Sequence, residues 1–233
     1  MQAVRFKARF LAAAFALAML STAFGQGTFQ NLNFESATVP VSQPASPPGV
    51  PTVDISVALP GWTAFIGTNQ ASMVMYNSRT LDTSAVSLIR DNSQVLPVIE
   101  GSFSVFLLGG YAGAIPTDTS LSQTGLIPSF AQSVQFRAAF GRVEVSLDGE
   151  VLSRVPLQVT SEYTLFGADV TQSAGQVREL RFTVFAPSDG GGGLPELLDS
   201  ISFSSQPIPE PRLFCLFALG ALLLGWQVGR KRR

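Results

Sequence analysis

"RVEVSLDGEVLSRVPL", residues 142–157, alternates apolar and polar side chains on both sides of Asp148-Gly149. A period of two puts one set of side chains on each face of a β-strand. Asp-Gly between two such runs is the pair that a two-residue hairpin turn favours, because its turn positions need positive φ. The stretch therefore predicts antiparallel strands joined tightly at Asp148-Gly149.

The same texture recurs on both sides. "SFSVFLLGG" (102–110), "SVQFRAAF" (133–140), "EYTLFGADV" (162–170), "VRELRFTVFAP" (177–187) and "LLDSISFSS" (197–205) combine alternation with β-branched or aromatic residues. No long helical period interrupts residues 26–206, so the chain reads as an all-β sandwich or barrel. Residues 40–60 are proline-rich and predict a loop or extended insertion in their first part. The glycines at 190–193 read as a loop tip, since neither a helix nor a Lys-Ser/Thr pair follows to make a phosphate cradle.

Composition removes several chemistries. The chain has no histidine, and its one cysteine, Cys215, lies in the C-terminal apolar run. Residues 26–206 hold no lysine, seven arginines and fifteen carboxylates, a formal charge of −8. Ser-His, Cys-His and lysine nucleophiles are thereby excluded from this segment, as are His/Cys zinc sites and disulfides. An acidic domain also has no footprint for nucleic acid, whose binding needs cations against phosphate.

Both ends read as processing segments. Arg5, Lys7 and Arg9 precede the apolar residues 10–20, and Ala23-Phe24-Gly25 offers small residues for cleavage before Gln26, which predicts a signal peptide over 1–25. At the other end Pro209-Glu210-Pro211 precedes residues 213–229, an apolar run of about 25 Å as a helix, and the basic tail 230–233. Basic residues favour the cytoplasmic side, so the exported domain would lie outside and the tail inside. The expected organisation is a leader (1–25), an exported β-sandwich domain (26–206) and a C-terminal segment (207–233).

Two family resemblances follow from these residues. "FQNLNFES", "LPGWTAF", "TSLSQTGLIPSFAQSVQFRAAF", "VEVSLDGEVL" and "LLDSISFS" come in the order of the galactose-binding-like, carbohydrate-binding-module-like jelly roll of secreted bacterial surface proteins. That family has a first strand ending in Phe-Glu, a Pro-Gly-Trp segment, a Ser-Gln-Thr strand and a closing Leu-Asp-x-Ile strand. The chain departs from it in the proline-rich insertion and in Phe136, where the family usually offers a Tyr-x-Leu-x-Phe run. The resemblance implies an antiparallel sandwich and a structural calcium ligated by Glu35 and Asp199. It also implies a sugar site using some of Trp62, Tyr76, Tyr111 and Tyr163, with core packing as the competing role for Trp62.

The C-terminus closely resembles the PEP-CTERM sorting signal, which an exosortase-type membrane transpeptidase handles. Pro209, Glu210 and Pro211 occupy its motif, residues 213–229 its single transmembrane helix and residues 230–233 its basic tail. The expected protein is a non-catalytic one, sorted to the cell surface or extracellular matrix through a membrane-anchored precursor, with glycan binding as its candidate activity. Two alternatives stand beside it: a secreted carbohydrate-active enzyme working through paired carboxylates, and a purely structural envelope protein.

Overall fold

In the computed structural model the described residues are 27–39, 50–91, 93, 95–188 and 191–208. The expected leader, the sorting motif Pro209-Glu210-Pro211 and the transmembrane run 213–229 lie outside them. Among the described residues no helix is long and apolar enough to cross a membrane.

The strands are β1 (Thr52–Asp54), β2 (Thr63–Ile66), β3 (Asn69–Ala71), β4 (Met73–Tyr76), β5 (Ala85–Arg90), β6 (Phe103–Ala112), β7 (Ile115–Thr117) and β8 (Thr119–Leu126). They continue as β9 (Ser133–Ala138), β10 (Glu144–Leu147), β11 (Glu150–Val151), β12 (Arg154–Val159), β13 (Thr164–Asp169), β14 (Val177–Val184) and β15 (Leu194–Ser204). One helical turn, α1 (Ile55–Ala58), follows β1 and is capped by the Asp54 carboxylate, which accepts from the Ser56 N–H at 2.8 Å. The second half of the proline-rich stretch thus carries a strand and a turn of helix.

These strands make two sheets. The larger runs β1-β4-β5-β6-β15-β9-β13-β12, with β7 on β6, and the smaller runs β11-β10-β14-β8-β2-β3. Strands β4 and β5 pair in parallel and the other named pairs are antiparallel. Alternation supplies the faces that meet: Leu180, Phe182 and Val184 of β14 and Val134, Phe136 and Ala138 of β9 belong to one buried cluster. Phe136 meets Phe182 edge-on at 5.1 Å between ring centroids, which closes the sandwich across its middle. The all-β, two-sheet expectation is met.

The run 142–157 does more than form a hairpin. Asp148 (φ +48°) and Gly149 (φ +84°) make the expected turn between β10 and β11. The Asp148 carboxylate accepts from Arg178 and from the Glu179 N–H, which hold it below the usual carboxylate range and pin the turn to β14. The chain then crosses to the other sheet, and β12 pairs with β13, its register shifting between Pro156 and Gln158. Strand β12 is therefore an edge, interrupted by a proline.

Strand β6 differs from its neighbours because both faces are covered. Val105 and Leu107 enter the main core, whereas Phe106 and Leu108 join Ile89 and Leu197 in a second cluster on the outer face. Leu96, Val98 and Ile99, from the connection between β5 and β6, pack over that cluster. A near-continuous apolar run such as "FLLGG" is what a strand buried on both faces requires.

The expected first strand ending in Phe-Glu is corrected. Thr28 makes an isolated bridge to Leu126, and the chain then turns with Asn31 (φ +50°) and Phe34 (φ +60°) both in the left-handed region. Gln123 of β8 stands in for strand pairing: its side-chain amide accepts from the Gln30 N–H at 2.5 Å and donates to the Gln30 carbonyl at 3.0 Å.

Candidate functional site

The turn at 31–36 delivers Glu35 to the bulge in the middle of β15. Glu35 and Asp199 line one recess of about 150 Å³ together with Asn33, Glu100, Gly101 and Ser200, as the calcium expectation requires. Three of their four oxygens, however, are already engaged by donors. Glu35 Oε1 accepts from the N–H groups of Ser102 (2.8 Å) and Phe103 (3.0 Å), and a Cβ on Gly101, itself at φ +63°, would lie 2.4 Å from that oxygen. Asp199 Oδ2 accepts from the Ser104 hydroxyl (2.6 Å) and the Glu100 N–H (3.1 Å), and Oδ1 from the Ser200 N–H (2.6 Å). Glu100 is paired with Arg137 and accepts from the Ser200 hydroxyl. Positive ends of N–H and O–H dipoles stand where a cation would, and among the described residues no group of three or more carboxylate, histidine or cysteine side chains is arranged to hold a metal. The pair as it stands fits a hydrogen-bonded latch between the turn, the loop before β6 and the bulge in β15, and does not fit a calcium shell.

The four expected sugar-site aromatics are not brought together. Trp62 and Tyr76 are buried in the main core, which corrects their assignment to a glycan platform. The Trp62 ring packs between Phe34 and Phe182, and its Nε1 donates to the Asn31 carbonyl at 2.9 Å, so its polar atom is spent on the turn. Tyr111 is half-buried with its hydroxyl donated to the Gly191 carbonyl, and the Arg137 guanidinium covers Tyr163 at 5.0 Å.

The open surface lies at the corner between β9 and β10. A groove of about 580 Å³ is bounded by Leu96–Ile99 on one side and by Phe140, Ser161 and Glu162 on the other. Phe140 is 48% exposed, so its ring face is available. The corner is held from below by Glu196, a fully buried carboxylate. Its Oε1 accepts from the N–H groups of Phe140 (2.8 Å) and Leu197 (3.0 Å), and its Oε2 from those of Arg142 (2.5 Å) and Val143 (3.1 Å). Burial pushes its carboxyl above the ordinary range while these four donors pull it back, the net direction being upward. Phe140 and Glu196 were missed from sequence because attention fell on tryptophan and tyrosine. The signal for Glu196 was its place two residues before Leu198, on the alternation that buries Leu198.

No family model matches the chain, and no curated protein matches it. Several solved structures are similar to it, among them these two. One is the carbohydrate-binding module TmCBM61 in complex with β-1,4-galactotriose, at 13% identity over 78% of this chain and 99% of that one, with a TM-score of 0.43. The other is a β-glucosidase from Kluyveromyces marxianus in complex with glucose, at 14% identity over 75% of this chain but 19% of that one, with a TM-score of 0.27. The likeness is loose in both cases, and the fold rests on the chain's own strand pairing. The class it defines is a two-sheet β-sandwich with an open groove beside a carboxylate-clamped corner.

Two measurements follow from the latch. Burial, the largest cause, pushes the Asp199 carboxyl up to about 6, the nearby Glu35 charge adds to the rise, and the three donors oppose it. In the unfolded chain it titrates near 3.8, so its contribution to stability is full below that pH and is lost as pH rises through about 6. Thermal melting should show the margin of wild type over Asp199→Asn shrinking between pH 4 and 7; a margin constant over that range would contradict the assignment. Because donors already occupy three of the four carboxylate oxygens, the melting temperature should be the same in millimolar calcium and in chelator. A rise with calcium would mean that a cation displaces the donors and stabilises the fold by mass action.

Proposed function

We propose that the chain is a non-catalytic exported protein of the cell surface or extracellular matrix, whose galactose-binding-like jelly-roll domain binds glycans. The observation that carries the reading is the groove at Phe140. An exposed ring face offers contact to the C–H face of a sugar, and Ser161 and Glu162 beside it offer hydrogen-bond partners for hydroxyls. Catalysis is disfavoured by the placing of the carboxylates. Glycosidase chemistry needs a pair about 5–10 Å apart flanking the scissile bond, and among the described residues Glu162 is the one carboxylate lining this groove. The recess that does gather carboxylates holds only about 150 Å³, and Glu35 and Asp199 there serve as acceptors for the backbone.

Delivery is assigned to the ends of the chain. The leader 1–25 takes the protein to export, residues 213–229 hold a membrane-anchored precursor, and an exosortase-type transpeptidase reads Pro209-Glu210-Pro211. The support is the order of triplet, apolar run and basic tail in the sequence.

Binding of the purified full chain to an oligosaccharide array, followed by titration of the ligands found, tests the glycan reading. Phe140→Ala should weaken binding about tenfold or more, since losing an aromatic contact worth about 1.5 kcal/mol has that effect. Its melting temperature should be unchanged, because the ring is half exposed. An array with no binding, or an affinity indifferent to Phe140, would refute the reading. Separately, Glu210→Ala in a host with the sorting enzyme should leave insertion intact and cause uncleaved protein to accumulate in the inner membrane. Normal size and location of that variant would refute the sorting role.

A further inference from the structure

A second cavity, of about 280 Å³, is lined by Arg142, Glu144, Val151, Leu152, Arg154 and Phe185 among others. It shares the 139–143 corner with the groove. In a domain where carboxylates outnumber arginines fifteen to seven, Arg137, Arg178 and Arg181 are each ion-paired. Arg142 and Arg154 have no ion pair among the described residues, and they line the same cavity.

Both arginines are held in place. Arg142 is exposed, and its backbone N–H is fixed by the buried Glu196. The Arg154 guanidinium lies 4.5 Å over the Phe166 ring and donates through Nη2 to the Gly141 carbonyl at 2.6 Å. Its Nη1 is buried and has no acceptor among the described residues. A buried guanidinium donor left unmet is an arrangement that folding alone does not favour. Glu144 balances one of the two positive charges, so the cavity keeps a net charge of one, suited to a single carboxylate. Beside the charges stand Phe185, 46% exposed, and Val151, 57% exposed, which offer apolar contact to a ring.

We infer that this cavity is a subsite for a carboxylated sugar, a uronic acid residue of an acidic polysaccharide. Arg142 makes the direct contact and Arg154 supplies a fixed positive charge behind it, while Phe185 and Val151 meet the sugar ring. The volume suits one ring rather than a long segment. A planar guanidinium recognises a carboxylate through paired N–H bonds, which a lysine cannot do. The inference rests on the glycan-binding reading and specifies which glycans the domain selects.

The test uses the full chain and three probes of equal length: a galacturonic acid trisaccharide, a neutral galactose trisaccharide and triglutamate, titrated by calorimetry at low and physiological salt. The acidic trisaccharide should bind at least tenfold more tightly than the neutral one, with the preference reduced by salt. Arg142→Gln, a change at an exposed side chain that leaves the backbone bond to Glu196 in place, should erase the preference. Arg154→Lys should reduce it, and its melting temperature reports whether the fold is kept. Equal affinity for the two sugars, or a preference that survives Arg142→Gln, overturns the subsite. Triglutamate binding as tightly as the acidic sugar overturns it too, since the cavity would then read charge and not a sugar. If the neutral sugar binds and is lost in Phe140→Ala without any acidic preference, only this inference falls. If neither sugar binds, the glycan reading falls with it.

Discussion

The carboxylate of Glu196, closed on itself by four backbone N–H groups, is the constraint on which the corner between β9 and β10 depends. Strand β15 lies between β6 and β9 in the larger sheet, and Glu196 is at its start. The backbone that leaves β9 cannot pair with a strand as it turns toward β10 in the other sheet. Its N–H groups would be left without partners inside the protein, at a cost of about 1–3 kcal/mol each. One buried side chain takes three of them, which explains why a carboxylate is kept where alternation would place an apolar residue. Phe140 and Arg142 then emerge from a rigid corner, one toward the groove and one toward the smaller cavity.

Asp199, three residues further along the same strand, repeats the device at the other side of the sheet. Ser200 takes positive φ and the pairing with β9 shifts register between Asp199 and Ser202. Asp199 and Glu35 gather the amides that this bulge and the loop before β6 leave over. The two buried carboxylates of β15 therefore act as backbone acceptors, a role that neither proton transfer nor metal ligation requires.

Strands were legible wherever one face is buried and the other wet. The alternation of "VRELRFTV" is matched by the burial of Leu180, Phe182 and Val184, and Asp148-Gly149 forms the turn that its residue types demand. The core position of Trp62 was likewise open to reading from Pro60-Gly61. Illegible were features set by long-range contact. That β12 leaves the hairpin's sheet is decided by its pairing with β13, and that "FQNLNF" turns is decided by Gln123, some ninety residues away. The groove was invisible for the same reason. It exists because the β5–β6 connection folds Leu96, Val98 and Ile99 over the outside of the sheet, and no local pattern marks that segment as a wall.

The interrupted edge at β12 bears on how such molecules can associate. An open sheet edge is a template on which further chains add by hydrogen bonding. Among the described residues the outer strands are β1, β3 and β7, of three residues each, β11, of two, and β12, broken at Pro156, which has no N–H to give. None offers a partner more than a few consecutive bonds. Even at high concentration, copies of this domain are thus poor seeds for cross-β growth, so any network they join must be held by side chains or by a shared ligand.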